Sequence, residues 1–97
     1  MEPRFINTKL TALFFREDED TIIASCPTLD IATCGSTLEE ARKNFTEMVE
    51  LFLEEAHRMG TLEQVLAECG WKKVKDQYIQ PTLIATGMED IRIPCSP

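Results

Sequence analysis

Three sets of side chains in this 97-residue chain have the types that do chemistry. Glu17, Asp18, Glu19 and Asp20 form an unbroken acidic run, and Asp30 follows alone. A two-metal hydrolytic centre needs carboxylates held rigidly on neighbouring elements. Four consecutive acids repel one another and suit a hydrated turn, so their chemistry is that of a charged tip rather than a metal cage. His57 is the only imidazole. As a general base it would need a nucleophile beside it, and no serine or cysteine is brought to it by spacing. Its plainer reading is an exposed residue near the negative end of a helix dipole. Cys26, Cys34, Cys69 and Cys95 could form two disulfides or a zinc tetrad, but they contain no C-x-x-C pair. That spacing favours free thiols, with Cys26 and Cys34 acting as small hydrophobes in strand-like runs. The four glycines are dispersed at 35, 60, 70 and 87, so no glycine-rich loop can cradle a phosphate. No cofactor or metal site is expected, and the residues do not point to an enzyme.

Charge narrows the partners. The net charge is −7, and the first fifty residues carry ten acids against five bases. Such a surface repels nucleic acid and suits a basic protein partner. Lys72, Lys73 and Lys75 are too few for a nucleic-acid groove and read as the charges that keep an edge strand from aggregating. No apolar run reaches the roughly 20 residues that span a bilayer. The opening Met-Glu-Pro-Arg-Phe lacks the layout of a secretory signal, which makes the cytosol the default location.

The elements that must position these groups are legible from periodicity. Residues 34–60 predict one long amphipathic helix. Thr37 and Glu40 stand in capping-box relation, and Glu39 and Glu40 favour the positive end of the dipole. Leu38, Ala41, Phe45, Met48, Val49, Phe52 and Ala56 recur at steps of three and four, and Gly60 suits the left-handed stop. Before the helix, residues 4–16 predict a strand, residues 17–20 a hairpin tip, residues 21–26 the return strand ended by Pro27, and residues 29–34 a third strand. After it, Thr61 and Gln64 suggest a second capping box on a short helix ended by Gly70, with Trp71 as anchor. Residues 72–79 suggest one polar edge strand. Glu89, Ile91 and Ile93 alternate with Asp90 and Arg92 and predict a final strand before Pro94, lying parallel to a neighbour. The expected fold is α+β, a single domain over residues 1–97 of order β-β-β-α-(short α)-β. It has a three-stranded antiparallel sheet plus a C-terminal strand, and the long helix packs on one face. Leu13, Phe15 and Leu53 are surplus apolar positions that predict self-association.

Two separated motifs carry a resemblance. Ile23-Ala24-Ser25-Cys26-Pro27-Thr28-Leu29 is followed by Thr33-Cys34-Gly35-Ser36-Thr37-Leu38-Glu39-Glu40-Ala41, then by Asn44 with Val49, Leu51 and Leu53. Over residues 10–60 this resembles the HicB-like antitoxin family. The resemblance implies a truncated ribonuclease-H-like unit without catalytic carboxylates. It also implies a function: neutralising a small basic mRNA-cleaving toxin of the HicA type by covering its active site. Cys26, Pro27, Leu29, Gly35, Thr37, Glu40 and Ala41 match the motif and read as structural residues. Asp30-Ile31 departs from the pattern, which commonly has glycine there. The DNA-binding module usual at the C-terminus of such antitoxins has no counterpart after Gly60, so operator binding is not expected. The acidic run Glu17, Asp18, Glu19 and Asp20 is the candidate partner contact. The rival readings are a small metal-dependent nuclease or hydrolase, and a structural homo-oligomer with no toxin.

Overall fold

The structure is a computed structural model and describes residues 5–96. Its elements run β1 (Leu13–Asp18), β2 (Thr21–Cys26), β3 (Ile31–Gly35), α1 (Leu38–Arg58), α2 (Leu62–Glu68), β4 (Lys72–Val74) and β5 (Gln77–Ile79). The first three strands form an antiparallel sheet of order β1-β2-β3, and β4 and β5 form a separate hairpin. The α+β class with one long helix on a three-stranded sheet is therefore observed.

The inward face of β2 makes the centre of the core. Ile22, Ala24 and Cys26 alternate into it and are buried, as the period of two requires. Register carries the same face across the sheet: Ala24 pairs with Phe14 of β1 and Thr33 of β3, and Ile22 with Arg16 and Gly35. Ala41, Phe45 and Val49 of α1 meet this face one turn apart, and Leu29, Leu66 and Trp71 close its end. Leu38, expected on the helix stripe, is 45% exposed.

Local chemistry sets the joints. The Thr37 hydroxyl accepts from the Glu40 amide at 3.0 Å, while the Glu40 carboxylate accepts from Ser36 N–H at 3.0 Å rather than from Thr37, so the reciprocal bond sits one residue outside the expected box. Both helices end in Schellman motifs. Gly60 has φ 74° with Thr61 N–H donating to Ala56, and Gly70 has φ 87° with Trp71 N–H donating to Leu66. The second expected capping box is absent. The Thr61 hydroxyl donates back to the Ala56 carbonyl at 3.3 Å, because Thr61 already serves the preceding helix end, and Gln64 turns to Glu68.

Three expectations for the strands are corrected. β1 begins at Leu13, not residue 4, because β2 spans only residues 21–26 and offers no partner beyond Ser25; Arg4 lies outside the described residues. Residues 72–79 form a hairpin rather than one strand. Lys75 (φ 58°) and Asp76 are its two-residue turn, and lysine gives no turn signal. The final strand over residues 89–93 is unpaired, and residues 80–96 carry no regular secondary structure. Alternation specifies which side chains share a face, but a strand exists only where a second strand supplies its hydrogen bonds.

Candidate functional site

Among the described residues no helix lies over the side of the sheet turned away from α1. Antiparallel pairing fixes its composition. Leu13, Ser25 and Ala32 form one cross-strand row, and Phe15, Ile23 and Cys34 form the next. Phe15 is 57% exposed, Ala32 and Cys34 are exposed, and Leu13 and Ile23 are half-buried. Five of these six positions are apolar or thiol-bearing, and a contiguous exposed apolar patch on a small protein marks an interaction surface. Leu53, expected with Leu13 and Phe15 to be a surplus apolar position, instead packs from α1 against the core.

One end of this face carries the acidic run. Glu17 is the bulged residue, since pairing shifts between Arg16 and Asp18, and a bulge re-aims the strand end. Glu19 and Asp20 make the turn. The Asp18 carboxylate accepts from Asp20 N–H at 2.9 Å, and Arg16 donates to the Glu19 carbonyl at 3.4 Å. All four acids are exposed. Among the described residues no group of three or more His, Cys, Asp or Glu side chains converges as a metal cage would. In this setting the carboxylates are hydrated charges that attract cations and basic surfaces at a distance.

The motif residues lie mostly beneath this surface. Cys26 and Ala41 are fully buried, and Leu29 is buried in the turn after β2. Pro27 is exposed on that turn, which Trp71 fastens by donating from Nε1 to the Thr28 carbonyl at 2.7 Å. Asp30 adopts φ 56°, a left-handed conformation that aspartate tolerates. Gly35 is where β3 meets α1: a Cβ there would lie 2.5 Å from the Ala41 backbone nitrogen. Asn44 donates its side-chain amide to the Cys34 carbonyl at 2.9 Å, tying α1 to the β3 edge. Arg42 lies over the Phe14 ring, 4.9 Å from its centroid.

A second acidic surface went unread in the sequence. Glu47, Glu50 and Glu54 surround Leu51, which is 66% exposed, on the solvent side of α1. Their spacing of three and four was the available signal. At the helix end Arg58 hydrogen-bonds the Glu55 carboxylate and holds its pKa below the ordinary carboxylate value. His57 is exposed among these residues. Cys26, Cys34, Cys69 and Cys95 are all free thiols. No described helix is long and apolar enough to cross a membrane.

Comparison with known proteins finds no match: no family model, curated protein or solved structure matches this chain.

Proposed function

We propose that this chain is a non-catalytic, antitoxin-like interaction domain that occludes a small basic ribonuclease of the HicA type. The observation that carries the reading is the open sheet face, with Phe15 and Ile23 at its centre and the acidic turn at its end. An apolar patch rimmed by charge of one sign suits a partner of opposite charge: the rim steers the encounter and the apolar centre supplies the affinity. The motif residues support this by position, since they hold α1 against the other side and leave this one free.

The test is co-expression with a small cationic ribonuclease encoded beside this chain, followed by titration of the two purified proteins. The expected outcome is growth rescue, inhibition of RNA cleavage, and binding that weakens steeply as salt rises. Phe15→Asp should abolish binding and leave the fold intact. Unchanged toxicity, or inhibition that survives Phe15→Asp, would sink the reading.

A further inference from the structure

The most exposed apolar side chains of the molecule are not on the sheet but on the arm that follows β5. Ile84 is 92% exposed, Met88 99%, Ile91 75% and Ile93 82%. Over residues 89–93 Ile91 and Ile93 share a phase with Glu89 and alternate with Asp90 and Arg92, a strand pattern without a strand. The root of the arm is fastened to its own domain. Gln80 donates to the Lys9 carbonyl at 2.6 Å, and Pro81, Leu83 and Ala85 line a shallow groove with Thr11 and Leu13. The molecule measures 61 Å along its longest axis against 28 and 23 Å across.

We infer that residues 88–93 add as a strand to the free edge of β1 in a second copy of this chain, forming a reciprocal dimer. Among the described residues β1 has β2 on one side only, so a row of its backbone groups lacks a strand partner. It is six residues long, enough to pair the arm's alternating segment along its whole length. β3, the other edge, is less open, because the Cys34 carbonyl already accepts from Asn44 and Gly35 abuts the helix. Each arm is rooted beside the chain entering its own β1, so a two-fold arrangement brings both arms to the partner's edge at once. Pairing would set Ile91 and Ile93 beside Leu13 and Phe15 and remove their exposed surface from water. Pro94, which has no N–H to donate, ends the added strand. The net charge of −7 opposes association, so backbone bonds and apolar contact must drive it. Salt then strengthens the dimer, opposite to its expected effect on a basic partner. The inference is independent of the toxin reading, and its failure is visible without any partner present.

The test is sedimentation of the full chain over a concentration series up to roughly 200 µM, together with amide exchange at both ends of the series. Expected are a dimer that tightens with salt and slowed exchange in residues 13–18 and 88–93 as concentration rises. Ile91→Pro removes one ladder donor and should weaken the dimer at least about tenfold. Ile91→Asp with Ile93→Asp should do the same, and neither variant should change the helical circular dichroism, because both positions are exposed in the single copy. A monomer throughout, a dimer indifferent to Ile91→Pro, or exchange slowed in residues 31–35 instead of 13–18 would overturn it.

Discussion

Ile22, Ala24 and Cys26 point from β2 into the helix side of the sheet, while Ile23 and Ser25 point out of the other side with no helix over them. The two faces carry similar aliphatic and aromatic side chains: Phe14 lies inward and Phe15 outward on neighbouring positions of β1. Among the described residues only one face has a helix over it, since α1 supplies Ala41, Phe45 and Val49 to the inner side. The difference separates two uses of the same residue types. Apolar groups on the inner face hold the fold, and those on the outer face are left for another molecule. A single sheet needs a second layer to bury both faces, and this chain provides it for one.

The sharpest way to break that contrast is to truncate one aromatic on each side. Phe45→Ala should cost about 3–5 kcal/mol of stability in denaturant unfolding, whereas Phe15→Ala should stay within about 0.5 kcal/mol. Comparable losses would mean the outer face is covered within one copy, and the comparison would fail. Next in size is the seam between the layers. Gly35→Ala puts a methyl into the backbone of α1 and should cost about 3 kcal/mol, read as a lowered melting temperature. A neutral result would show that the helix can lift from β3. Trp71→Phe keeps most of the buried ring but leaves the Thr28 carbonyl without its donor. The expected loss is about 1–2 kcal/mol, with exchange quickened in the turn after β2. The smallest effect belongs to the solvent side of α1. Glu55 titrates below its ordinary value because Arg58 bonds its charged form. Its contribution is therefore present above the ordinary carboxylate range and disappears as pH falls through the lowered value. Glu55→Gln should lower the melting temperature slightly at neutral pH and not at all in strong acid, and a difference that persists in acid would assign the effect to packing.

Much of the inner layer was legible beforehand. The 3.6-residue stripe on α1, the Thr37 cap and the glycine stops each depend on neighbours within one turn, so the order of residues contains the whole interaction. Legibility failed where a residue needed a distant partner. The Lys75-Asp76 turn depends on Val74 pairing with Gln77, and the capping role of Thr61 was already taken by the end of α1. Of the expected tip over residues 17–20 only Glu19 and Asp20 make the turn, while Glu17 and Asp18 belong to β1, and that the acidic run caps one end of an apolar surface follows from the register of β1 on β2. The second acidic surface around Leu51 had a spacing signal, yet its meaning rests on which side of α1 the sheet occupies.

By itself, then, the sequence determined local conformation: the long helix, its Thr37 cap and the glycine stops, because the energies involved act between residues a few positions apart. Tertiary structure alone decided which face of the sheet is covered, where the acidic turn sits relative to it, and that residues 89–93 alternate like a strand with nothing to pair against. Burial and strand hydrogen bonding are properties of two surfaces in contact, and no single stretch of chain contains the second one.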